Sequence, residues 1–344
     1  MPVDFLSHEQ ELQYGRFTSK PSSEQLAKYF WFDDQDCQII FQHRHDHNRL
    51  GFAIQLGTVR FLGTFLTNPI DVPSNVITYV ARQLKIEPQT FLLYTSIKNS
   101  QKHKREICTL YGYQDFNNQP SHLRLIRWLY TRAWLTSERP SILFDLMTSR
   151  CVEQKILLPG VTVLTKLISQ VRERASQHLW SKLSSLPNCN QIEQLENLLK
   201  MNKTTKKTGL DTLRYPPQKL TVTGILKAIK RFEEIQAIGA LEWDTSGIPI
   251  SKIRVLSRYA SMSRAQSISR MSYDRRIATL VAFSIIYTTQ AMDDMLDIFE
   301  RFITDMFNKS LNKGEKNRIR TIKDLDKAAR KLKEVCTTLL NEGK

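Results

Sequence analysis

Asp46-His47-Asn48-Arg49-Leu50-Gly51-Phe52-Ala53-Ile54-Gln55-Leu56-Gly57-Thr58-Val59-Arg60-Phe61-Leu62-Gly63 is the stretch that decides the fold class of this 344-residue chain. Four polar residues open it, and Leu50, Phe52, Ala53, Leu56, Val59 and Phe61 then follow at helical spacing. Arg49 and Arg60 bracket the run eleven positions apart, about three turns at 3.6 residues per turn. The pattern predicts a helix that packs on one face and offers a guanidinium near each end of another.

The rest of the chain repeats this period. Gly and Pro number only 12 each, a low count of turn formers that favours long helices over many strands. Ser7 with Gln10, and Ser22 with Gln25, have the spacing of capping boxes, in which the serine oxygen takes an orphan N–H and the glutamine reaches back. Pro73, Pro140 and Pro159 stand where a first-turn proline loses no hydrogen bond. Two apolar stripes follow helical periodicity. One runs through Leu123, Ile126, Leu129, Tyr130, Ala133 and Trp134, the other through Leu164, Leu167, Ile168, Val171, Ala175, Leu179 and Leu183. Sustained alternation of period two is missing except near Leu220–Thr223, so the expected class is all-α and multi-helical.

Charge narrows the function classes. Lys+Arg 50 against Asp+Glu 34 gives a net charge of +16, a surface suited to polyanions and above all to nucleic acid. Cys37, Cys108, Cys151, Cys189 and Cys336 lie far apart without a CxxC pair, which fits reduced thiols better than a disulfide framework or a zinc site. Met1–Phe5 lacks the layout of a signal peptide, and the longest apolar stretch, Ile277–Tyr287, is too short to span a bilayer. A soluble, cytoplasmic protein with no membrane partner is expected.

Four segments emerge. Residues 1–200 form a first helical domain, within which the basic stretch Lys98–Arg105 reads as a charged helix start. Residues 201–219, with Lys203, Lys206, Lys207, Arg214, Lys219 and Pro216-Pro217, have the composition of an exposed basic linker. Residues 220–306 form a second helical module, and 307–344 a basic helical tail. Between Lys309 and Lys333 that tail carries ten basic residues against Glu315, Asp324 and Asp326, a net of +7.

Two constellations invite metal chemistry. His43 and His47 are four apart with Asp46 beside them, but no second cluster of ligands accompanies them, and a helix end with titrating histidines is the plainer account. Asp293, Asp294, Asp297 and Glu300 interleave with Met292, Met295, Leu296, Ile298 and Phe299, the pattern of an amphipathic helix with a solvated acidic face. No metal, cofactor or catalytic residue is therefore assigned. Binding features are stronger. Ile250–Tyr259 and Ser263–Met271 have the dimensions of a helix-turn-helix, followed by a third helix near Tyr273; an ordinary three-helix bundle fits the periodicity equally. The second helix would present Arg264, Gln266, Ser267 and Arg270 to bases and phosphates. Ser22–Phe32 with Asp36–Arg44 has similar dimensions, and Arg124, Arg127 and Arg132 interleave with Trp128, Tyr130 and Trp134. The DNA-contact set chosen on charge and position is Arg49, Arg60, Arg124, Arg127, Arg264 and Arg270.

The opening run also resembles the N-terminal region of the transposases of replicative class II bacterial transposons, the transposon-three family. Further blocks are similar in order along the chain: Tyr111-Gly112-Tyr113-Gln114-Asp115-Phe116, Leu123–Tyr130, Arg139–Leu146, Leu157–Leu164, Arg275–Leu280 and Asp293–Asp297. The resemblance implies a helical, double-stranded-DNA-binding region that recognises transposon terminal inverted repeats. It implies that the family's Asp-Asp-Glu catalytic domain lies beyond Lys344, so that this chain by itself is not an enzyme. It leaves two alternatives, one half of a split transposase, or a regulatory fragment that pairs with a full-length transposase or dimerises.

Overall fold

The computed structural model describes residues 6–94, 97–202 and 206–342. Its helices run in the order α1 (His8–Gln13), α2 (Ser23–Tyr29), α3 (Asp34–Phe41), α4 (Asp46–Leu62), α5 (Ser74–Leu84), α6 (Ile97–Tyr111), α7 (Ser121–Leu135) and α8 (Pro140–Glu153). There follow α9 (Val161–Ser184), α10 (Cys189–Asn197), α11 (Gly209–Arg214), α12 (Val222–Gln236), α13 (Ile250–Met262), α14 (Ala265–Ser269) and α15 (Tyr273–Glu342). Among the described residues no strand forms, only isolated bridges such as Gln114 with Ile156. The class is all-α.

Local signals placed the helix ends. Ser7 and Ser22 close capping boxes with Gln10 and Gln25, each serine Oγ accepting from the glutamine N–H at 3.2 Å. Pro140 is the first residue of α8, and Pro73 immediately precedes α5. The stripe from Leu164 to Leu183 is buried at Leu164, Ile168, Val171, Ala175, Leu179 and Leu183. In α7 the buried positions are Leu125, Leu129 and Ala133, whereas Leu123 is exposed. That helix carries apolar residues on more than one face, so spacing alone selected the wrong starting leucine.

The chain divides into two compact units, Met1–His178 and Leu179–Lys344. This differs from the expected 1–200, 201–219, 220–306 and 307–344 segmentation. Residues 203–205 lie outside the described residues, but 209–214 form α11, with Leu210, Leu213 and Arg214 buried. A basic composition conceals a docked helix there, because its two leucines supply an anchor.

The first unit is built around α4, and here the opening expectation is corrected. Every residue from Leu50 to Val59 is buried, including Gln55 and Thr58, so α4 is a central helix packed all round. It meets α2, α3, α5, α6 and the short 3-10 segment Pro88–Leu93. A helix covered on all sides has no solvent stripe. Its two interior glycines would each be worth about 1 kcal/mol less than alanine in an exposed helix. They are required because aromatic rings press against the backbone. A Cβ at Gly57 would sit 2.2 Å from Phe30, and one at Gly51 2.4 Å from Tyr94. Phe30 cannot yield, since it is fully buried among Phe17 and Phe61. We therefore expect Gly57→Ala to lower stability by about 2 kcal/mol, overpacking outweighing the helix propensity gained. Gly314, exposed on α15 with nothing near its Cβ direction, supplies the contrast. Gly314→Ala should raise helicity, and urea midpoints that move the same way for both variants would refute the ring-packing account. A second core, from α7, α8 and α9, contains Leu143, Phe144, Met147 and Cys151 beside Leu125, Leu129 and Ala133 of α7 and Leu164, Ile168, Val171 and Ala175 of α9.

In the second unit the start of α15 plays the corresponding part. Ile277–Ser284 are buried without interruption, and α12 and α13 pack on them. From Phe307 to Thr337 the residues of α15 are exposed on every side.

Candidate nucleic-acid interface

In the second unit, α13 and α14 are joined through Ser263 and Arg264 and lie on α15. The turn falls slightly later than the spacing suggested, since α13 continues to Met262 and α14 is only five residues long. Ile253, Ser257 and Ala260 face inward from α13, and Ala265 and Ile268 from α14. Arg264, Gln266, Ser267 and Arg270 are exposed, as their positions between these inward residues require. Arg254 and Arg258 on α13 are exposed as well. Sequence reading passed over them, although their spacing of four from each other, offset from Ile253 and Ser257, was a usable signal.

Internal arginines hold this turn in place. The buried Arg214 guanidinium donates to the carbonyl oxygens of Ala260 and Ser263, and to Asp211 Oδ1 at 2.8 Å. It thus satisfies carbonyls at the C-terminal end of α13 that lack an intrahelical partner. Read from composition as a linker cation, Arg214 is a clamp for the α13–α14 turn. Arg276 reaches the carbonyls of Ser269 and Met271 on the far side of α14, and donates to Glu196 at 2.9 Å. Arg275 lies over the rings of Trp180 and Tyr259 at 5.0 and 5.8 Å. The same unit holds Arg231, buried and donating to the Leu213 carbonyl at 2.8 Å and to Asp294 at 2.7 Å. Asp294 is therefore a structural counter-ion, while Asp293, Asp297 and Glu300 face solvent.

The first unit separates the expected contact residues into two kinds. Arg124 and Arg127, one turn apart on α7, are exposed. Arg60 is not free. Its guanidinium makes a bidentate pair with the buried Asp36 at 2.9 Å, and it lies over the rings of Phe32 and Tyr111. Asp36 also accepts the Tyr111 hydroxyl at 2.7 Å, so one carboxylate ties α3, α4 and α6 together. Arg49 donates to the His43 carbonyl at 2.9 Å and to Asp46 at 3.0 Å, and lies over Phe41. Both bracketing arginines thus have partners within the unit, unlike Arg124 and Arg127. Arg132 is likewise held by Glu138 through two hydrogen bonds. Tyr130 bonds His178 and Trp134 stacks on it at 4.8 Å, so these aromatics are occupied within the unit.

The histidine run does not form a ligand face. His43 lies between helices and packs in tilted contact with Phe52 and His103 at 4.5 and 4.6 Å, whereas His45 and His47 stack on each other. Among the described residues no group of three or more His, Cys, Asp or Glu is arranged to hold a metal ion. His43 borders a buried polar network. His103 Nδ1 meets the Tyr94 hydroxyl at 2.8 Å, and Gln55 Nε2 donates to that hydroxyl and to Ser100 at 2.8 and 2.9 Å. Burial, then the neighbouring His43 and Lys102, pushes the His103 pKa down to about 4. No described helix is long and apolar enough to cross a membrane.

Comparison with known proteins agrees with this helical, basic chain. Residues 5–171 match the family described as a domain of unknown function, DUF4158. The transposase for transposon gamma-delta of Escherichia coli (strain K12) is 40% identical over 345 residues, covering 100% of this chain and 34% of that protein. The transposases for transposon Tn3926 of Escherichia coli and Tn501 of Pseudomonas aeruginosa are 27% and 26% identical, each over 86% of this chain and 30% of their own length. The chain thus spans about a third of the length of the relatives it matches. What it resembles, from end to end, is the N-terminal part of a Tn3-type bacterial transposase.

Proposed function

We propose that this chain is a DNA-binding part of a transposase and that it recognises the terminal inverted repeats of a transposon. The observation that carries the reading is the α13–α14 surface. Arg254, Arg258, Arg264 and Arg270 are exposed there together with Gln266 and Ser267. The arginines behind that surface are engaged with carboxylates or backbone carbonyls. Free guanidiniums beside short polar side chains suit phosphate positioning and major-groove reading in one element. The net charge of +16 and the likeness to transposases support the same conclusion.

Anisotropy titration of an inverted-repeat duplex against a scrambled duplex of equal length tests it. We expect tighter binding to the repeat, with affinity falling steeply as salt rises because bound phosphates release counterions. Arg264→Ala combined with Arg270→Ala should weaken repeat binding by about 10- to 100-fold at fixed salt. Equal affinity for both duplexes would overturn repeat recognition, and no binding at low salt would overturn DNA binding itself.

A further inference from the structure

We propose that a groove between α7 and α8 in the first unit is a phosphate site that seats one phosphodiester of the bound DNA; this rests on the DNA-binding reading above. The groove has a volume of about 500 Å³ and is lined by Gln114, Ser121, Arg124, Arg150, Gln154 and Ile156. Two of these six are cations, three are neutral hydrogen-bonding residues, and none is acidic. In a chain with 34 carboxylates, a paired-arginine pocket without one is a distinctive arrangement. Three half-buried arginines elsewhere in this unit are paired with carboxylates: Arg49 with Asp46, Arg60 with Asp36 and Arg132 with Glu138.

The groove is built, not incidental. Gln114 is fixed through its backbone, its N–H donating to the Lys155 carbonyl at 2.9 Å and its carbonyl accepting from Leu157 at 2.8 Å. Its side-chain oxygen accepts the Ser121 hydroxyl at 2.6 Å. Arg150 rises from the last turn of α8 and lies over the Trp128 indole, 4.7 Å from the ring centre. Its Nε is enclosed and makes no hydrogen bond among the described residues. A guanidinium held against an aromatic ring loses much of its rotational freedom before any ligand arrives, and its planar donor fork matches a phosphate's oxygens. Ser121 begins α7, whose N-terminus carries no side-chain cap, so the positive end of a 15-residue helix opens beside the two arginines. Like charges facing one groove repel, and an anion between them converts that repulsion into attraction on both sides. Arg127, exposed one turn beyond Arg124, continues the cationic line along α7 in the manner of a strand followed by successive phosphates.

The test uses the full chain with Arg124→Gln, Arg150→Gln and a control, Lys166→Gln, at an exposed α9 position outside the groove. Arg124→Gln keeps the test valid should loss of the Arg150–Trp128 contact unfold the unit. In the DNA arm, each groove variant should weaken duplex binding about tenfold and reduce the salt slope by about one, with the control unchanged. In the second arm inorganic phosphate is the probe. It should raise the melting temperature of the parent chain relative to chloride at equal ionic strength, and not that of Arg124→Gln. If the parent binds DNA and both groove variants bind it equally well, the site is overturned. If the parent fails to bind DNA yet phosphate stabilises it through Arg124, the groove stands as a free-phosphate site and the DNA reading falls. Failure in both arms overturns the groove alone or with that reading, according to whether the parent binds duplex.

Discussion

Replacing Asp36 with alanine should destabilise the first unit by about 3 kcal/mol, a figure set by the penalty of stranding one partner of a buried ion pair. Asp36 is 4% exposed and accepts three hydrogen bonds, two from Arg60 and one from Tyr111. Removing it leaves a guanidinium and a phenol without their acceptor at the junction of α3, α4 and α6. The Arg60 side chain is 26% exposed, so water recovers part of the loss, and the expected value sits at the low end of the range for buried pairs. Asp36→Asn keeps an oxygen acceptor and should lose less. Urea unfolding followed by circular dichroism measures both, and a loss below about 1 kcal/mol for Asp36→Ala would show that the pair contributes little. The double variant Asp36→Ala with Arg60→Ala should cost less than the sum of the single changes, since the two partners share one interaction. If Arg60 were instead a DNA contact, Arg60→Ala would weaken duplex binding while leaving stability intact.

Mild acid should be the second large effect. His103 is buried, with its pKa lowered to about 4 by desolvation first and by His43 and Lys102 next. The unfolded chain takes up a proton near pH 6.5, the usual histidine value, whereas the folded chain resists until near pH 4. Protons therefore favour the unfolded state inside that window. The contribution of neutral His103 is complete above about pH 6.5 and is lost as pH falls toward about 4, by about 2 kcal/mol between pH 7 and pH 5. His43, lowered chiefly by its own burial and countered by Glu106, adds to the same trend. Stability measured at intervals across this range for the parent chain and for His103→Gln isolates the effect. The variant should be weaker at neutral pH, through the altered bond to Tyr94, but flatter toward acid. Parallel pH curves for the two chains would dismiss His103 as the source.

Much of the architecture was open to reading because its causes are local. Ser22 and Gln25 satisfy each other within one turn, so four letters suffice to place the start of α2. The α9 stripe from Leu164 to Leu183 was legible for a similar reason, since a helix with one clear apolar face has one way to pack. The Ala265 and Ile268 anchors of α14 follow the same rule, and with them the outward placement of Arg264, Gln266, Ser267 and Arg270. Where reading failed, the residue did two things at once. α4 has helical periodicity and is also apolar or small at almost every position from Leu50 to Val59, and the second property, read as a stripe, is what marks a helix enclosed on all sides.

The sequence by itself determined that this protein is all-α and basic, with helix ends set by caps and prolines a few residues apart. Only the tertiary structure decided which cations are surface and which are framework. Arg60 meets Asp36 across 24 residues, Arg214 meets the Ala260 carbonyl across 46, and Arg231 meets Asp294 across 63. A guanidinium in a sequence carries the same charge whether it faces a phosphate or a buried carboxylate. Its partner is chosen by which helices the hydrophobic cores bring together, and that choice is made at distances along the chain that no local pattern records.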